Sequence, residues 1–219
     1  MTTRTALWTL VLALAGRPGP ARAGPGPSAD ALLRQAAVDE QLHHFEEAYA
    51  QYMAVVALNP TGPNARFAAE SAILVANELA YREAVAAPRV TGTARQALTP
   101  GEEALVRACD QWIALYPTDP KAGTIAYKAA YLAFNRNLYP EAAARFRIAI
   151  ASDPSSQEAA QAATMILDAY TYTEDWPALI DWTDWLLAQP GLGSPEYRAA
   201  AARRRSTASF LLWQTAPSP

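Results

Sequence analysis

The feature that most constrains this chain is a helical unit that returns four times and is closed each time by a proline. Phe45, Ala48, Tyr52 and Val55 lead to Asn59-Pro60, and Tyr139, Ala142, Phe146 and Ala149 lead to Asp153-Pro154 in the same register. Leu105, Cys109 and Trp112 lead to Tyr116-Pro117, while Trp176, Leu179, Thr183 and Leu186 reach Pro190 one residue early. The apolar positions lie three or four apart, which is one face of a helix, and proline stops each run because it cannot continue a helix. Successive closing prolines are 57, 37 and 36 residues apart. The first interval therefore holds one unit plus about 20 extra residues.

Each unit also carries an earlier helix, best seen between Tyr116 and Pro154. Asp119 before Pro120 predicts a helix start with a capping side chain and a proline in the first turn. Ala126, Ala129, Ala130 and Ala133 then share one face until Asn135-Arg136-Asn137 interrupts the pattern. The second helix opens at Tyr139-Pro140-Glu141. A hairpin this short cannot bury its own apolar face and needs neighbours on both sides.

The second-helix pattern resembles the tetratricopeptide repeat family, at Phe45, Ala48, Tyr52 and Pro60 and again at Tyr139, Ala142, Phe146, Ala149 and Pro154. The first helices depart from it: Ala126, Ala129, Ala130 and Ala133 stand where the family has a large aromatic, a leucine, a glycine and an aromatic. Tyr170, after Ala163, Ile166 and Leu167, restores the aromatic in the last unit. The spacing exceeds the family's usual length of about 34. The YPxxP spelling from Tyr116 to Pro120 is similar to bacterial envelope members, such as outer-membrane assembly and Tol-Pal accessory proteins. The resemblance covers roughly residues 31–190. It implies an all-α fold, a right-handed α-solenoid of four stacked hairpins over 31–193 with an insertion at about 80–100. A capping helix would follow over 194–214, then a tail at 215–219. The implied role is docking, not chemistry, with no cofactor.

The chain opens with Arg4 and an apolar run from Ala6 to Gly16. That run is too short for a bilayer, which needs about 20 residues. Ala21-Arg22-Ala23 has the form of a cleavage site, so 1–23 reads as a signal peptide and 24–30 as a flexible mature start. The alternative is an uncleaved helix lying on a membrane. The expectation is a secreted, periplasmic protein without stable membrane insertion. It is not expected to be a lipoprotein, because no cysteine follows the apolar run. The whole chain holds 18 basic and 21 acidic residues. Removing the three arginines of the leader gives a net charge of −6 (15 against 21). No basic stripe offers phosphate neutralisation, which argues against nucleic acid. Arg203, Arg204 and Arg205 read as a solvated helix face. The single Cys109 can form no internal disulfide and reads as a buried thiol that packs like an apolar residue.

Glu40, His44 and Glu47, with His43 and Glu46 beside them, could offer metal ligands from one helical face. The inter-helix turn at 42–44 would disrupt that face, so solvated turn residues are the preferred reading. No nucleophile elbow, zinc-protease, P-loop or dinucleotide motif appears. Glu174, Asp175, Asp181 and Asp184 read as solubilising charges. Trp176 reads as core, with Trp182 and Trp185 flanking it. The binding expectation follows from the resemblance, whose first helices line a concave surface. Three rows share a face at i, i+4 and i+8. They are Glu70, Leu74 and Glu78; Tyr127, Tyr131 and Asn135; and Thr164, Asp168 and Tyr172. Aromatics, acids and amides together suit an extended or helical peptide of a protein partner, in an envelope assembly or surface machine. The alternatives are a structural subunit without a groove, or a small metal-dependent envelope enzyme using His43 and His44.

Overall fold

A computed structural model describes residues 27–86 and 92–215, which form helices with no strand among the described residues. Helices α1 (Ala29–Gln41) and α2 (Phe45–Leu58) form the first hairpin, and α3 (Ala65–Ala86) and α4 (Pro100–Leu115) the second. The third is α5 (Ala122–Asn135) with α6 (Tyr139–Ser152), the fourth α7 (Gln157–Tyr172) with α8 (Trp176–Leu187), and α9 (Pro195–Thr215) follows. The main contacts all join consecutive helices, from α1 against α2 to α8 against α9. The architecture is repeat-like. One core cluster runs from α1 to Ala129 and a second from Ala130 to α9, so the two meet on opposite sides of α5.

The repeat frame places equivalent residues equivalently. Ala48, Leu105, Ala142 and Leu179 are each no more than 2% exposed, and Tyr52, Cys109, Phe146 and Thr183 are buried in the next position. Val55, Trp112, Ala149 and Leu186 complete the buried face. Each large apolar side chain buried there contributes about 1.5–3 kcal/mol. Three inter-helix turns share one backbone. His43, Asn137 and Glu174 take φ of 62°, 57° and 56°. The following amide reaches the carbonyl five residues back: His44 to Asp39 at 2.8 Å, Leu138 to Ala133 at 2.9 Å, Asp175 to Tyr170 at 3.0 Å. This left-handed closure satisfies carbonyls that a helix end would otherwise leave bare. Between units, the amides of Gly62, Asp119 and Ser156 each donate to the carbonyl three residues earlier.

Among the described residues the second unit shows no such turn. α3 runs on to Ala86, so the first residues of the expected insertion at 80–100 are helical. Residues 92–99 then lie against the turn of the third hairpin. The Asn137 side-chain amide donates to the carbonyls of Gly92 (3.0 Å) and Ala94 (2.9 Å), and the Gln96 amide donates to the Arg136 carbonyl (2.9 Å). Arg136 grips both carboxylate oxygens of the buried Glu102, at 2.8 and 3.0 Å. Thr99 and Glu102 close the start of α4 with a reciprocal capping box, which satisfies two of its free amides.

Several expectations are corrected. α5 starts at Ala122, not at Asp119, because the Asp119 carboxylate takes the Lys121 amide (2.8 Å) and the Arg66 guanidinium (2.7 Å) in the turn before it. α3 turns Ala65, Ala68, Ala72 and Ala76 inward, which leaves Phe67 55% exposed. Ser28 caps α1, so Ala29 and Asp30 are already helical. Trp176 is only half-buried, whereas Trp182 is fully buried and its indole donates to the Ala163 carbonyl at 3.2 Å. Arg204 is not merely solvated: it pairs with Asp168 at 2.6 Å, and Arg205 pairs with Asp184. The segment read as a signal peptide, residues 24–26 and residues 216–219 of the tail lie outside the described residues.

Candidate functional site

The three rows sit on the first helices, and polar links tie neighbouring first helices together. Lys121 at the start of α5 reaches Glu70 on α3 at 2.8 Å, and Lys128 reaches Asn77 at 3.0 Å. Asp168 on α7 reaches Arg204 on α9. Two of these links end on row residues, Glu70 and Asp168.

In the first row, Glu70 is half-buried under Lys121, Leu74 is 66% exposed, and Glu78 pairs with Arg82 at 3.1 Å. Leu74 and Glu78 line a cleft of about 360 Å³ with His43, Phe45 and Arg82. In the second row, Tyr127 stands edge-on to Phe146, with ring centroids 5.3 Å apart, and stacks on Tyr131 at 6.3 Å. Burial, with Tyr131 as a lesser cause, pushes the Tyr127 hydroxyl above its ordinary pKa. Tyr131 and Asn135 are exposed. In the third row, the Thr164 hydroxyl donates to the Ala160 carbonyl at 2.9 Å, Asp168 is exposed, and Tyr172 is 75% exposed.

A cleft of about 470 Å³ opens where the start of α5, the end of α6 and the start of α7 converge. Tyr127, Thr124, Asp119 and Glu158 line it. The Asp119 carboxyl is held below its ordinary value, first by the Lys121 amide and then by Arg66, so it is a fixed negative charge at neutral pH. A tyrosine ring beside hydroxyl, carboxylate and backbone acceptors can hold a peptide by stacking and hydrogen bonds. Tyr127 therefore has two jobs, part core and part cleft wall. Tyr131 and Tyr172 are the exposed aromatics of the rows.

The histidine cluster is not assembled as a ligand set. Glu40 accepts from the Tyr52 hydroxyl at 2.7 Å, His44 lies 3.6 Å from Asp39, and His43 stands against the Phe45 ring. Among the described residues no three His, Cys, Asp or Glu side chains come together as a metal site. Burial pushes the Cys109 thiol up to about 12, which keeps it protonated. No described helix is long and apolar enough to cross a membrane.

Sequence reasoning missed three exposed apolar residues of α3, namely Phe67, Tyr81 and Val85. Their signal was the seven-residue spacing of Phe67, Leu74 and Tyr81 along a helix whose core face is alanine. No protein-family model matches this chain, and no curated protein matches it.

Proposed function

We propose that this chain is a secreted, periplasmic interaction scaffold of the tetratricopeptide type, part of a cell-envelope assembly or surface machine. In this reading the hairpins wind as a right-handed superhelix, α9 caps the array, and the first helices hold a peptide of a protein partner. The observation that carries it is the face of α5 and α7, where Tyr131 stands exposed one turn beyond Tyr127 of the cleft wall and Tyr172 stands exposed at the far end of α7. An array of hairpins held by nearest neighbours offers a preformed surface, so binding orders little of the scaffold itself.

The test is crosslinking and pull-down from intact cells with wild type and with Tyr131→Ala/Tyr172→Ala. Both side chains are exposed, so the fold should persist. Partner recovery is expected to fall by about tenfold or more, the equivalent of about 1.4 kcal/mol. Unchanged recovery would remove this face as the docking site. A second reading, a subunit of a larger complex without a peptide groove, draws on Phe210 and Trp213, which stand exposed on α9. Loss of the complex in Phe210→Ser/Trp213→Ser, with Tyr131→Ala/Tyr172→Ala unaffected, would favour it.

A further inference from the structure

Residues 92–96 are held on the turn of the third hairpin as a ligand would be. The Asn137 side chain is buried, and the Tyr139 hydroxyl donates to its Oδ1 at 2.9 Å. Both hydrogens of its amide are left for the segment, and they go to the carbonyls of Gly92 at 3.0 Å and Ala94 at 2.9 Å. Two residues further on, the Gln96 amide donates to the Arg136 carbonyl at 2.9 Å. Every second residue is thus gripped through its backbone, which nearly any sequence carries. In peptide recognition of this kind main-chain bonds supply affinity and side-chain contacts supply specificity. A helical peptide could not bind this way, because its amides and carbonyls already pair with each other. The one side chain read here is Arg95, whose guanidinium reaches Glu141 Oε1 at 2.5 Å.

This hold is easily given up. Residues 92–95 are all exposed, and Arg95 and Glu141 form a surface pair of the kind that contributes little. Apolar packing begins only at Leu98, which lies against the first core cluster. A segment with few buried apolar contacts opens locally, without the rest of the fold. Glu141 is also only half used, since its Oε2 is buried and has no hydrogen-bond partner among the described residues. Arginine and carboxylate favour a two-bond fork, and the tethered Arg95 makes one of its two bonds. The repeat supplies an internal contrast. His43 and Glu174 stand where the third hairpin has Asn137, and Glu47 and Ala178 where it has Glu141. Of the three turns with this backbone, only the third joins an amide side chain to a carboxylate at these positions.

We propose that this turn is a docking site for a non-helical, arginine-bearing peptide segment of a protein partner, and that residues 92–96 occupy it in cis until the partner displaces them. The Asn137 amide and the Arg136 carbonyl hold the partner's backbone, and Glu141 takes its arginine. A tethered segment competes at an effective concentration in the millimolar range. The site is therefore closed to weak encounters and opens to a partner that makes the second bond to Glu141. The inference goes beyond the groove of the scaffold reading and does not rest on it, because none of the row residues on the first helices makes these contacts.

The probe is the acetylated and amidated peptide Gly-Thr-Ala-Arg-Gln-Ala, the sequence of residues 92–97, titrated by NMR into the purified chain. Arg95→Glu sets two carboxylates together and lifts the segment in cis. It should bind the peptide about tenfold or more tighter than wild type, whose site is rarely vacant, and the Asn137 side-chain amide signals should move with binding. Replacing the peptide's arginine by alanine should weaken binding about tenfold or more, because the contact is charge-assisted. Glu141→Arg should reverse the preference, taking the peptide with glutamate in that place and rejecting the parent. Neither substitution touches the core, and unchanged helicity checks that the fold persists. An Arg95→Glu protein that binds no peptide overturns the proposal. So does binding indifferent to the peptide's arginine, or no reversal in Glu141→Arg. A stable dimer in which two copies exchange residues 92–96 would also overturn it, since a second copy is then the occupant. Failure of the scaffold reading, seen as unchanged partner recovery in Tyr131→Ala/Tyr172→Ala, alters none of these outcomes.

Discussion

The turn at His43 and the turn at Asn137 are the same piece of backbone used in two ways. Both residues take the left-handed conformation, and both turns close with the same pair of backbone bonds. His43 is exposed and touches only the Phe45 ring among the aromatic contacts. Asn137 is 9% exposed, donates to Gly92 and Ala94, and accepts from the Tyr139 hydroxyl at 2.9 Å. The repeat supplies a turn, and the insertion of the second unit turns one copy of it into a fastening. In repeats of this kind, geometry is shared while stability is assigned locally, by whichever segment lies on top.

Breaking the fastening should cost most. Arg136→Ala leaves the buried Glu102 carboxylate without its bidentate partner, retaining only the Thr99 amide at 2.9 Å. The expected loss is about 3–5 kcal/mol by urea denaturation. Gly101→Ala attacks the same unit from the other side. A methyl there would stand 2.7 Å from the α3 backbone at Leu79 and Ala80, so a loss of about 2–3 kcal/mol is expected. The paired substitution Asn137→Gly and His43→Gly sharpens the comparison, because the signs should differ. Asn137→Gly loses the bonds to the insertion and costs about 2 kcal/mol. His43→Gly removes left-handed strain from an exposed turn and should be neutral or up to about 1 kcal/mol stabilising. Equal effects at the two positions would mean that the insertion does not hold the third hairpin.

Acid should separate the turns in a smaller way. Asp39, whose counterpart in the third hairpin is Ala133, is held below its ordinary value of 3.8 by Gln51 and Gln35, with His44 adding to it. A lowered carboxyl contributes stability that is complete above its ordinary value and is lost as pH falls through the lowered one. The melting temperature should therefore hold steady down to about pH 4 and fall below it. Asp39→Asn should flatten that acid limb, which a melting series between pH 7 and pH 2 would reveal.

Much of this was legible in the sequence, and the residues show why. Ala48, Leu105, Ala142 and Leu179 recur at a fixed distance from a proline, and a buried position that recurs can be read by alignment alone. Cys109 sat in the same frame and is buried, whereas Trp182, read as flanking the frame, is fully buried as well. Phe67 stands outside the core because α3 fills its inner face with alanines, so an aromatic near the start of a first helix is no guide to burial here. The docking of residues 92–99 left no periodic trace, since it is made by backbone carbonyls and one asparagine amide. Asp119 looked like a cap from its place before Pro120, but the nearby Arg66, distant in sequence, gave its carboxylate another partner. Of the candidate rows, the sequence identified Tyr131 and Tyr172 as surface aromatics. It did not foresee that Tyr127 also props the Phe146 ring.

The hairpins stand in file and are held by their neighbours, with the two core clusters meeting on α5. Hydrogen exchange of Leu186→Ala beside wild type tests it most directly, because that fully buried side chain belongs to the last hairpin and its loss costs about 2–5 kcal/mol. Protection should fall in α7, α8 and α9 and stay at the wild-type level in α1 to α4. An equal loss of protection from α1 to α9 would contradict the account.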